Sequence, residues 1–80
     1  MKLAVVVLER SKADATVDRL VAQGFRVTRL ASSGGFLRRG NTTLLIGLEA
    51  HQLTHARDSV HQTAPGSLLL ALDLDHYERL

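Results

Sequence analysis

The sequence has no cysteine and no tryptophan, one proline, and only three aromatic side chains, Phe25, Phe36 and Tyr77. Without cysteine there is neither a disulfide nor a thiolate metal site, which is compatible with a reducing cytosol. Few aromatics, no recognition motif and no long basic face argue against a nucleic-acid partner. Long apolar runs are missing too. Met1-Lys2-Leu3-Ala4-Val5-Val6-Val7-Leu8 is broken by Glu9-Arg10 with no small-residue cleavage site after it, and nothing approaches the roughly 20 apolar residues of a membrane span. The expectation is a soluble, cytoplasmic protein. No serine or threonine belongs to a recognisable histidine-and-acid framework, so no catalytic residue and no cofactor are assigned, and the chain is not expected to be an enzyme.

What is present is enough for one domain, 1–80. At this size only about 60% of the unfolded chain's surface is buried on folding, so such a domain often leans on a partner. The formal charge is only +2, yet Arg26, Arg29, Arg38 and Arg39 fall within fourteen residues. Local positive potential of this kind suits a small anionic ligand.

Hydrophobic periodicity predicts six elements. Leu3 to Leu8 is β-branched-rich and reads as a buried strand. A helix follows over about Lys12 to Gln23, with Ser11 as N-cap, Asp14 near its start, Ala13, Val17, Leu20 and Val21 inward, and Gly24 as the left-handed stop. Phe25 to Ala31 reads as a strand with Phe25 and Val27 on one face and Arg26 and Thr28 on the other. A turn-prone break, Ser32 to Gly40, joins it to a strand over Asn41 to Leu48 as an antiparallel hairpin. A second helix over Ala50 to Gln62 puts Leu53, Ala56 and Val60 inward and ends at Thr63-Ala64-Pro65-Gly66. Ser67 to Leu74 is the last strand. The order βαββαβ is the ferredoxin-like α+β arrangement with an antiparallel sheet.

Three strand segments, Leu3 to Leu8, Thr43 to Leu48 and Leu68 to Leu72, are apolar at consecutive positions rather than alternating, so both sheet faces call for burial. Two helices cover one face. The other is expected to be buried by further copies of the chain.

The residues with chemistry to offer gather in one stretch, GFRVTRLASSGGFLRRGNTTLLIG, from Gly24 to Gly47. Gly34-Gly35 is either a flexible hairpin tip or a backbone cradle for an anion. Arg38 and Arg39 follow it as loop cations. Arg26, inside a strand beside Thr28, is either an ion-paired or snorkelling side chain at a subunit interface or a ligand contact. Phe36 either packs on a neighbouring subunit or stacks on a purine, which is worth about 1–3 kcal/mol per base. Asn41 either caps the turn or reads a base edge or ribose. Gly47, in a strand interior, marks close approach by a ligand or another chain. Elsewhere, His51 and His55 are four apart on the second helix but lack a third ligand and the Glu of H-E-x-x-H, so no metal site is assigned. Asp73 and Asp75 read as a solvated strand end.

The same stretch, with its Gly-Gly-Phe-Leu-Arg-Arg-Gly-Asn-Thr-Thr core and a closing Leu74-Asp75-His76-Tyr77, resembles the signature of the bacterial cyclic di-AMP receptor-like proteins of the PII-like superfamily. That resemblance implies a homotrimer whose sheets line the centre and a cyclic di-AMP site in each cleft between subunits. It places Arg26, Val27, Thr28, Gly35, Phe36, Leu37, Asn41 and Gly47 around the ligand. It implies signal transduction through an unknown downstream protein rather than catalysis. Two departures stand out. Family members typically carry a long loop between the second helix and last strand, where this chain has only Thr63 to Ser67, and Gly24 replaces a common polar residue. The alternative is a trimeric interaction module that binds another adenine nucleotide, such as ATP or AMP, or none.

Overall fold

The computed structural model describes residues 1–30, 40–76, 78 and 80. Its elements are β1 (Lys2–Glu9), α1 (Arg10–Ala22), β2 (Arg26–Leu30), β3 (Asn41–Leu48), a 3-10 turn (Ala50–Gln52), α2 (Leu53–Thr63) and β4 (Leu68–Asp73). The strands form one antiparallel sheet in the order β2-β3-β1-β4, the ferredoxin-like arrangement expected from the sequence.

Alternation along the strands divides the sheet cleanly. Ala4, Val6 and Leu8 of β1 and Leu44, Ile46 and Leu48 of β3 are buried beneath the helices, joined by Ala13, Leu20, Phe25, Ala56, Val60 and Ala64. The opposite face carries Leu3, Val5 and Val7, with Leu72, Leu70 and Leu68 of β4 as their register partners. Those three β4 leucines remain about half exposed, at 51%, 49% and 54%. The apolar second face read from the sequence is therefore real, and in a single chain it is uncovered.

Local expectations for α1 differ from the structure. α1 starts two residues early, straight out of β1, and Ser11 is not its cap. Glu9 holds the N-cap position in extended conformation without a side-chain cap, and the Arg10 N–H donates instead to the Gly40 carbonyl at 2.7 Å. A helix N-terminus needs partners for its first N–H groups, and here a distant backbone carbonyl supplies one. Asp14 is correspondingly past the first turn and pairs with Arg29 at 2.6 Å. Val21 is 55% exposed, and Thr16 takes the inward position. Its hydroxyl meets that of Thr63 on α2 at 2.8 Å, and Ser59 Oγ donates to Gln23 Oε1 at 2.6 Å. The seam between the helices is thus partly polar and fully satisfied. Gly24, at φ +90, does stop α1 as expected.

Candidate functional site

Strand parity decides which arginine of β2 can meet a ligand. Phe25, Val27 and Arg29 lie on the helix side: Phe25 joins the core, Val27 packs against it, and Arg29 reaches over to Asp14. Arg26 and Thr28 lie on the open face, where their register partners on β3 are Gly47 and Leu45. Among the described residues, no carboxylate lies within salt-bridge distance of Arg26. Its charge is available to an anion.

Arg26, Thr28 and Gly47 line one cavity of about 270 Å³, together with Met1, Leu3, Leu45 and Leu74. The C-terminal end of β4 is drawn to this rim because the Leu74 N–H donates to the Met1 carbonyl at 3.1 Å. The walls are mainly aliphatic, with one guanidinium and one hydroxyl, so an anionic group can be neutralised there in partly dry surroundings.

Gly47 is informative because nothing among the described residues requires a glycine there. Its φ is not positive, and a Cβ built on it meets no atom within 4 Å. Leu3 and Arg26 flank it on the neighbouring strands.

Asn41 is not part of this cavity. It opens β3 beside Glu9, six residues from Gly47, so the two positions stand about 20 Å apart along the strand. It lines a second cavity of about 430 Å³ with Glu9, Lys12 and the turn between α2 and β4. Val27 faces the core rather than either cavity. Gly34, Gly35, Phe36, Leu37, Arg38, Arg39 and Tyr77 lie outside the described residues, as does Ala31 of the predicted strand. Lys12 is the cavity residue that sequence reasoning passed over. A lone lysine in a helix carries no motif, and only the packing of α1 against the α2–β4 turn sets it beside Asn41.

The histidines are placed elsewhere. His51 lies in the 3-10 turn and His55 on α2, where the His55 ring meets Phe25 edge-on at 5.9 Å. Among the described residues no group of three or more histidine or acidic side chains is arranged to hold a metal, and no helix is long and apolar enough to cross a membrane. At the strand end, Asp73 pairs with Lys2 Nζ at 2.5 Å, and this hydrogen bond and charge hold its carboxyl below the usual range.

The fold and the cavities define a small ferredoxin-like domain with an uncovered apolar sheet face and an exposed arginine beside a cavity at its edge. The sequence profile described as cyclic-di-AMP receptor matches residues 1–75, and the chain belongs to that family, a binding and signalling family rather than an enzymatic one. Solved structures agree on the fold. A functionally unknown protein from Pediococcus pentosaceus ATCC 25745 is 26% identical with a TM-score of 0.84, the match covering 99% of this chain and 96% of that one. A DUF3240 family protein from Shewanella baltica OS155 is 16% identical with a TM-score of 0.74, over 99% of this chain and 94% of that one.

Proposed function

We propose that the protein is a cyclic di-AMP receptor that assembles as a homotrimer and binds its ligand in clefts shared between subunits, acting in the cytoplasm on a downstream protein. The observation that carries the reading is the cavity on the open sheet face, where an unpaired Arg26, Thr28 and the unexplained gap at Gly47 converge. Its volume of about 270 Å³ falls just below the roughly 300–1,000 Å³ of ordinary ligand pockets. One subunit therefore supplies part of a site. The distance from Gly47 to Asn41 supports the same conclusion, because both can touch one ligand only if they come from different chains. A head-to-tail ring joins unlike patches in this way, and it covers the apolar face of β1 and β4.

In this arrangement Arg26 neutralises a phosphodiester, Thr28 donates to a phosphate or ribose oxygen, and Asn41 of an adjoining subunit reads a base edge or ribose. Val27 holds the strand on the core, and the further contacts proposed from the family resemblance, Gly35, Phe36 and Leu37, lie outside the described residues. The short connection between Thr63 and Leu68 favours a second reading in which another adenine nucleotide, ATP or AMP, is the ligand, because the base is less enclosed. Calorimetric titrations with cyclic di-AMP, ATP and AMP, run beside sedimentation equilibrium, test both. The expected result is a trimer that prefers cyclic di-AMP; a stable monomer at micromolar concentration that binds none of the three contradicts the proposal.

A further inference from the structure

We propose that Lys12 is a second cationic contact for the ligand's phosphate, held in the cavity that also contains Asn41. The inference rests on the reading of Asn41 as a ligand contact, and it extends the site to a residue on α1. This cavity, of about 430 Å³, lies where the start of α1, the start of β3 and the turn between α2 and β4 meet.

Lys12 is half-buried, and its backbone carbonyl is engaged by Thr16 Oγ1 at 2.9 Å, which fixes this turn of the helix. Among the described residues no carboxylate lies within salt-bridge distance of its ammonium. Ser67 Oγ already donates to the Ala64 carbonyl at 2.6 Å. The side-chain donors left to the cavity are thus the Lys12 ammonium and the Asn41 carboxamide, which makes no side-chain hydrogen bond among the described residues.

An ammonium beside a carboxamide suits a phosphodiester attached to a base or ribose: the cation meets the anionic oxygen and the amide meets the neutral polar edge. Glu9, exposed at the rim of the same cavity, opposes an anion and limits its affinity. Bound phosphate would then be approached by Arg26 from one subunit and Lys12 from the next, which ties affinity to assembly.

The test is calorimetric titration of the 80-residue chain with cyclic di-AMP at low and physiological salt. Lys12→Gln is expected to weaken binding about three- to tenfold, as for a partly screened charge-assisted contact, and to make affinity less dependent on salt, because one screened attraction is gone. Lys12→Arg keeps the charge and stays within about twofold. Glu9→Gln tightens binding. Equal affinity and salt slope in Lys12→Gln overturn the assignment of Lys12 and leave the receptor reading standing. If the unaltered protein fails to bind cyclic di-AMP, the receptor reading falls instead, and an amide NMR titration with sodium pyrophosphate decides the anion site. Saturable shifts at Lys12 and Gly66 that Lys12→Gln abolishes uphold the site; unshifted amides there overturn it.

Discussion

Replacing Gly47 with alanine separates what the subunit needs from what its surroundings need. Among the described residues the added methyl meets nothing within 4 Å, and the backbone is not in the left-handed region. Alanine also loses less backbone entropy than glycine on folding, so the isolated fold should gain about 0.4–1 kcal/mol. Outside the chain the sign reverses. If a ligand or another subunit approaches this point closely, a methyl pushed into a packed contact costs about 1–3 kcal/mol, roughly 5- to 150-fold in affinity. Urea denaturation at two protein concentrations measures the first term, since the apparent stability of an oligomer depends on concentration. Calorimetry with cyclic di-AMP and sedimentation measure the second. A Gly47→Ala variant that assembles and binds as the unaltered protein does would refute the reasoning that the gap serves a partner or ligand.

The two arginines of β2 should behave oppositely: Arg26→Gln lowers affinity for cyclic di-AMP about tenfold, whereas Arg29→Gln leaves affinity alone and, as half of an exposed pair with Asp14, changes stability by no more than about 1 kcal/mol. Similar calorimetric losses in both would show that strand parity does not select the contact. Thr16→Val removes the buried link to Thr63 and should cost about 1 kcal/mol, read from the urea midpoint; an unchanged midpoint would make the polar seam irrelevant to stability. Because its hydrogen bond and charge pairing with Lys2 lower the Asp73 pKa in the folded protein, the stabilisation is complete above the unfolded carboxyl value of about 3.9. It is lost as pH falls through the lowered folded value. In Lys2→Met the NMR titration midpoint of Asp73 should rise toward the ordinary range, and an unmoved midpoint would remove Lys2 as the cause.

Periodicity made the six elements and both faces of the sheet legible before any coordinates. Leu3 to Leu8 and Leu68 to Leu72, apolar at every step, mark a second apolar face, and the half-exposed β4 leucines occupy it. The start of α1 was not legible, because the partner of the Arg10 N–H is the Gly40 carbonyl thirty residues on. Val21 fits a helical stripe as well as Thr16 does. The facing hydroxyl of Thr63 selects the threonine, and no local pattern reveals that pairing. The separation of Asn41 from Gly47 was within reach of the sequence, since six residues of extended strand span about 20 Å. Lys12 became visible only when α1 and the α2–β4 turn were in place around Asn41.

The central claim, a nucleotide site assembled from two subunits, is tested most directly by mixing two defective variants. Arg26→Gln and Asn41→Ala each damage every site of their own homotrimer. Unfolded together in equal amounts and refolded, they form rings in which about a quarter of the head-to-tail junctions pair an intact Arg26 with an intact Asn41. Calorimetry of the refolded mixture should therefore recover tight cyclic di-AMP binding at about a quarter of the sites. A mixture that binds no better than the two variants measured separately would contradict a shared site.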